Sequence, residues 1–408
     1  MCHSREHHMS VPHCHRLGCR VYFLCVSLAL AGLCSAADNE LDRFPIVHGE
    51  PLCVPIRLNE QKGRFILYSL FNVTVVDEAY RDHLGPVVPT PALTANRLLG
   101  IELPVHRGPH ISIGTNIPGI ETPNEVVACM SMTPWQERFG VPVDGLIAFD
   151  RLAALVVRVH VDEGYVAFLK TPKESVAKKA SIVKEWFLPH VSIHVSDDGF
   201  RDAIISLGDC YSVLLDQDDF RRLLRRNKIV LRDSADGRET PNIKRTRSGI
   251  LDVIEVGPYK IQNVKVYEGA VTAIGLGFVR RFELDFDFPN RIVHFCPSQS
   301  YQEPERWDCS GIAIERKNNK TLVCTVIPSS VPGQSGVRIG DELTHVNDSR
   351  ASELSLAKIR DLLSTSGSDV KLVFERNGVR QDIVIKLVRP DDPFPTDKNL
   401  PKILPIPD

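Results

Sequence analysis

Two stretches of the chain join an apolar run to a tight turn and a Val-rich return, and each turn carries hydroxyl or carboxyl groups. The first is Phe65-Ile66-Leu67-Tyr68-Ser69-Leu70-Phe71-Asn72-Val73-Thr74-Val75-Val76 and the second is Ala203-Ile204-Ile205-Ser206-Leu207-Gly208-Asp209-Cys210-Tyr211-Ser212-Val213-Leu214. Two kinds of chemistry could use such turns. A carboxyl pair, one from each turn, could share a proton, so that one acid activates water while the other protonates a carbonyl. Asp209 is the candidate in the second stretch, but the first offers no acid before Asp77, which is expected to cap the helix that follows. Alternatively Ser69 or Ser206 could act as a nucleophile, which requires a base and a group that orients it. His83, His190 and His194 are available, yet none falls in a recognised nucleophile motif, and a serine in a core-facing turn is far more often a hydrogen-bonding residue. Neither constellation is complete in the sequence.

The elements that would position these groups recur in two halves of the chain. An extended run precedes each stretch and a short helix follows it, Asp77-Glu78-Ala79-Tyr80-Arg81-Asp82-His83-Leu84 in one half and residues 216–224 in the other. Short strands with turn signals come next, as in an all-β unit. Each half then closes on a small-residue turn, a short apolar helix and a strand pair. These are Asp144-Gly145-Leu146-Ile147-Ala148-Phe149-Asp150-Arg151-Leu152 with residues 156–161, and Ala273-Ile274-Gly275-Leu276-Gly277-Phe278 with residues 283–288 and 291–295. Asp144 and Asp150 are expected to cap the adjoining helix. Trp186, Phe200 and Tyr211 are expected to pack in the core or between the halves.

A different pattern runs from about residue 309 to 388. Ser310-Gly311-Ile312-Ala313-Ile314 and Leu322-Val323-Cys324-Thr325-Val326-Ile327 alternate as paired strands, and a proline-bearing turn with a short helix follows. Ile339-Gly340-Asp341-Glu342-Leu343 places a tight turn before another strand. An amphipathic helix carries Leu356, Ile359, Leu362 and Leu363 on one face. Two last strands flank Arg376-Asn377-Gly378-Val379, a strong hairpin signal.

With 408 residues the chain can form two or three cores, and 43% apolar with 25% charged residues excludes a disordered polyelectrolyte. A net charge of -2 argues against general attraction to nucleic acid or anionic lipid, and the basic stretches at 221–226 and 244–247 lack interleaved aromatics. Arg16 and Arg20, the apolar run 21–33 and the small residues Cys34-Ser35-Ala36-Ala37 are expected to form an export signal cleaved before Asp38. That run is shorter than the roughly 20 residues that span a bilayer, so no stable membrane span is expected after signal removal. Six cysteines remain, Cys53, Cys129, Cys210, Cys296, Cys309 and Cys324, two in each of three segments. Export permits one disulfide per segment, and six free thiols is an equally open reading. No zinc spacing is present, and no metal or cofactor is expected. Polar stretches at 171–179 and 297–304 separate units at 38–172, 180–298 and 308–390, with 1–37 as signal peptide and 391–408 as a Pro-rich tail.

Four segments, two per half and in the same order, resemble the paired signatures of pepsin-like and retropepsin-like aspartic proteases. In that family the first signature is apolar-apolar-Asp-Thr-Gly-Ala/Ser and the second is Asp-Gly-Ile-Leu-Gly-Leu-Asp-Phe-Leu. The resemblance covers about residues 44–297 and implies two β-barrel lobes. It places Tyr68 and Ser206 at the catalytic Asp positions and Leu70 at the turn glycine, so it implies the fold without the dyad. The order of elements after residue 309 resembles the PDZ domains of exported bacterial proteases. The expected fold class is therefore mainly β, two aspartic-protease-like lobes followed by an α+β PDZ-like domain. PDZ domains add an extended peptide, often a C-terminus, to a sheet edge beside a helix, and loop amides receive its carboxylate. The resemblance puts that loop near Ser310, Gly311 and Ile312, with Ile314 and Leu356 lining the groove. The expected function is that of an exported, non-catalytic protein, periplasmic, cell-surface or secreted. It would bind a peptide or protein, by its C-terminus or an internal extended segment, at this groove or in the old inter-lobe cleft. An active endopeptidase with an unrecognised acid pair and a structural assembly protein are the alternatives.

Overall fold

Alternating Val, Ile and Phe positions, bounded by Gly and Asn turns, make the chain mainly β, with several sheets and short helices between them. A computed structural model describes residues 40–47, 49–58, 61–87, 94–96, 101–102, 105–107, 111–113, 126–169, 178–185, 188–235 and 247–389. The expected signal peptide, the Pro-rich tail, Trp186 and the polar joint at 171–177 lie outside the described residues.

In the first half, β1 (Cys53–Leu58) and β2 (Gln61–Leu67) pair as an antiparallel hairpin. The chain turns at Tyr68–Asn72 and returns through β3 (Val75–Asp77). Helix α1 (Thr133–Phe139) ends at Gly140, and β4 (Gly145–Ile147) then inserts between β2 and β3, parallel to the first and antiparallel to the second. Only glycine permits this insertion at residue 145, because an added Cβ would lie 2.1 Å from the Phe65 ring and 2.4 Å from the Val75 carbonyl oxygen. The second half repeats the plan. Between β5 (Phe200–Ile205) and β6 (Val213–Asp216) lies β7 (Ala273–Ile274), again parallel to one and antiparallel to the other.

A thirteen-stranded sheet joins the halves. Strand Val156–His160 of the first pairs with Phe282–Asp287 of the second, in the register Val156↔Asp287 to Val159↔Leu284. Arg158 crosses this seam and donates twice to Asp285, at 2.7 and 2.6 Å, a bidentate pair that fixes the register. Beneath it Val157, Phe168, Phe282 and Phe286 belong to one buried core, so the two halves fold around shared apolar contacts.

The C-terminal unit has a core of its own. Its sheet runs β8 (Ile312–Lys317), β9 (Lys320–Val326), β10 (Glu342–Val346), β11 (Asp369–Arg376) and β12 (Val379–Lys386), with a short strand added on β10. Helix α2 (Leu356–Leu363) starts at Ser355, whose side chain accepts from the Lys358 amide, and its Leu356, Ile359 and Leu363 are buried as the periodicity predicts. Asn377 and Gly378 take positive φ angles of 53° and 77° and close the hairpin.

Three expectations need correction. Phe200 is 72% exposed rather than packed, because it opens β5 at the tip of a hairpin, where it meets only the edge of His194. Asp144 does not cap a helix but accepts the Arg64 amide at 2.7 Å, tying β4 to β2. Asp150 lies inside its helix, whose N-cap is Ala148, and accepts from the Thr74 amide and hydroxyl at 3.1 and 2.8 Å. Asp144 thus holds the inserted strand against β2, and Asp150 holds the helix after it against the end of the turn. No disulfide joins any two of the six described cysteines, and Cys53, Cys129, Cys210 and Cys296 are free thiols.

Candidate functional site

The two turns occupy equivalent places and meet. The Tyr68 amide donates to the Ile147 carbonyl at 2.8 Å, and the Ser206 amide donates to the Ile274 carbonyl at the same distance. Tyr68 and Ser206 therefore correspond, as do Ser69 and Leu207. Ser69 Oγ donates across the junction to the Ile205 carbonyl and accepts from the Leu207 amide at 3.2 Å. Leu207 has no hydroxyl to return the bond, so one serine joins the turns. The Tyr68 ring meets Phe71 and Trp135 edge-on and lies over Gly208, where an added Cβ would come within 2.2 Å of it.

Asp209 is 4% exposed and turns back into this junction. It accepts from Ser206 Oγ at 2.8 Å and from Arg138 Nη1 of α1 at 3.2 Å. Burial, and then the neighbouring Asp209 carboxylate, push the Tyr68 phenol well above its ordinary pKa, and the same two causes act on Tyr211. Among the described residues the buried Tyr211 hydroxyl has no hydrogen-bond partner. Asp209 is the one carboxylate that acts on Tyr68, Ser206 and Tyr211 there.

The other sequence candidates stand apart from the junction. Asp77 accepts from the Ala79 and Met132 amides at 2.9 and 2.7 Å, as a helix cap. His83 contacts Gln61, His190 contacts the Leu188 carbonyl and His194 faces Glu255. No imidazole reaches Ser69 or Ser206 among the recorded contacts of the described residues.

In the C-terminal unit Ser310, Gly311, Ile312, Ile314 and Leu356 are brought together, and all are buried. The loop amides are already engaged. Ser310 and Gly311 donate to the Asp308 carboxylate at 3.2 and 2.7 Å, and the Ile312 amide donates to Ser310 Oγ at 3.3 Å. Strand β8 is an edge of its sheet, and α1 of the first half packs on it. Arg360 of α2 bridges them, donating to the Arg138 carbonyl at 2.7 Å and the Ile314 carbonyl at 3.0 Å. A Cβ at Gly140 would press to 2.8 Å on Leu356.

What remains between β8, α2 and the two halves is a cavity of about 340 Å³. Its walls include Cys210, Tyr211 and Leu214 from the second turn, Ile312 and Ala313 from β8, and Ala357 from α2. Five cationic side chains line it, Arg138, Lys265, Arg280, Arg306 and Arg360, against Asp308 and Asp361. Lys265 stands over the Trp307 ring, 4.2 Å from its centroid. Burial pushes the Cys210 thiol up, while Arg280, Arg138 and Arg360 pull it down, which places three guanidinium groups around one wall. Sequence reasoning missed these cations, because they come from five separate elements. Asp308 carried a signal that could have been found, since an Asp two residues before a Ser-Gly pair favours an Asx turn.

No family model matches the chain, and no curated protein matches it. Among solved structures it is similar to a photosystem II D1 C-terminal processing protease, at 24% identity over 20% of this chain and 22% of that one, with a TM-score of 0.18. The chain thus spans about a fifth of that protease's length. It is also similar to basic 7S globulin from soybean, at 11% identity over 65% of this chain and 98% of that one, with a TM-score of 0.39. Among the described residues no helix is long and apolar enough to cross a membrane.

Proposed function

We propose that this chain is an exported, non-catalytic relative of aspartic proteases that binds an extended peptide or protein segment. Its first two units are aspartic-protease-like lobes and its third is a PDZ-like domain. The observation that carries the reading is the junction of the two turns, where Tyr68 and Ser206 stand at corresponding positions and Asp209, the one carboxylate acting on them, is ion-paired with Arg138. Among the described residues, peptide bond hydrolysis by an acid pair has no second acid there, and nucleophilic catalysis by Ser206 has no base.

The binding surface is the cavity-facing edge of β8. An edge strand beside a helix offers backbone groups to an added strand, and the cavity opens along Ile312, Ala313 and α2. The Asp308 carboxylate already satisfies the loop amides that would receive a C-terminal carboxylate, which favours side-on engagement of a segment over capture of its end by that loop.

The test pairs two measurements on the purified chain. Unfolded protein is offered as substrate across the acidic and neutral range, with and without pepstatin, and no cleavage is expected. A peptide array identifies ligands, and hydrogen exchange is expected to show slowed exchange at β8 amides when one is bound. Pepstatin-sensitive cleavage that is lost in Asp209→Asn would overturn the reading in favour of a working protease.

A further inference from the structure

The charge around the cavity is unbalanced in a specific way. Asp361 is spent on Arg306 at 2.6 Å, Asp308 on the amides of its own loop, and the nearby Asp209 on Arg138. Arg280 is different. Its guanidinium donates to the Glu50 carbonyl at 3.3 Å and pairs with no carboxylate among the described residues. A guanidinium presents five donors in a planar fork suited to a carboxylate, and one placed in a partly enclosed, low-dielectric pocket gains from an anionic partner. The lining also carries apolar and aromatic side chains, Tyr211, Trp307 and Ile312. A volume of about 340 Å³ falls at the lower end of the size range of small-ligand pockets.

We infer that this cavity receives a carboxylate carried on a compact apolar or aromatic body, and that Arg280 pairs with it. The inference rests on the binding reading above and adds the chemistry of the ligand. The carboxylate is received by Arg138 and Arg280 of the first two units, with Arg360 of α2 beside them, while the apolar body lies against β8 and Trp307. A peptide end and a free organic acid share this chemistry, and the experiment separates them.

The probes are 3-phenylpropionate, 4-methylpentanoate, their primary amides, and an acetylated tetrapeptide ending in leucine as free acid and as amide. Binding to the full chain is followed by ligand-observed NMR and by thermal shift. Each acid that binds should do so about ten- to a hundredfold more tightly than its amide, as expected for a charge-assisted contact. Arg280→Gln keeps a donor for the Glu50 carbonyl and should erase that difference without lowering the melting temperature. Ala313→Phe fills the cavity from β8 without changing its charge and should abolish binding of every probe. Small acids that bind while the peptides do not would support the anion site and overturn the peptide reading. Acid and amide peptides that bind equally would overturn the anion site and leave the peptide reading standing. Failure of all acids to bind, or discrimination that survives Arg280→Gln or Ala313→Phe, would overturn the inference.

Discussion

Replacing Asp209 by Asn tests whether an ion pair holds the junction of the turns. Asn keeps the shape and one acceptor for Ser206 but removes the charge that faces Arg138. Breaking a buried ion pair by removing one partner costs about 3–5 kcal/mol, because the remaining charge stays desolvated. Arg138 is 31% exposed and regains part of its hydration, which lowers the expected cost to about 2–3 kcal/mol. For a unit of this size that corresponds to a fall in melting temperature of about 4–12 °C. The assay is a thermal scan of wild type, Asp209→Asn, Arg138→Met and the double variant at neutral pH. The two single losses should not add, with a coupling of at least about 1 kcal/mol. A fall below about 2 °C in Asp209→Asn, or additivity in the double variant, would refute the claim that this pair fastens the junction.

Three further outcomes follow from the same geometry. Ser69→Ala removes a hydroxyl that joins the turns and leaves the buried Leu207 amide unsatisfied, so chemical denaturation should show a loss of about 1–3 kcal/mol that Ser69→Thr largely avoids. Gly208→Ala drives a Cβ into the Tyr68 ring and should cost about 1–3 kcal/mol; combining it with Tyr68→Ala should make the Gly208→Ala step nearly neutral, as a double-mutant cycle would read. In the C-terminal unit, burial alone would raise the Asp341 carboxyl, but the Arg376 guanidinium and the Arg338 amide outweigh it and hold the carboxyl below its ordinary value. Its stabilisation is therefore complete above the unfolded carboxyl pKa of about 3.9 and is lost as pH falls through the folded one. Asp341→Asn should destabilise that unit at neutral pH, and the gap between variant and wild type in a pH series of melting curves should close below about pH 3.9.

Much of the scaffold was legible in the sequence, because its signals are local. Short apolar runs marked the ends of β2 and β5, the Asn377-Gly378 pair marked a hairpin that needs two positive φ angles, and the spacing of Leu356, Ile359 and Leu363 marked the buried face of α2. The two turns could be aligned from their residues alone, and their amides make the same hydrogen bond to the inserted strand in each half. Asp144 and Asp150 were misjudged as caps for the same reason that the hairpin was visible. A local rule sees the nearest helix, but the amides and hydroxyl that these carboxylates accept from belong to Arg64 and Thr74, about eighty residues away in the chain at Asp144 and somewhat fewer at Asp150.

The sequence by itself determined that the two corresponding turn positions, Tyr68 and Ser206, carry no carboxyl group. Only the tertiary structure decided that Asp209 turns inward to Arg138, that Ser69 joins the turns, and that Arg280 lines the cavity unpaired with any described carboxylate. Those facts depend on how α1, the second turn and α2 dock against one another. Docking is set by shape and burial summed over many residues, and no short window of sequence contains the partners of a charge.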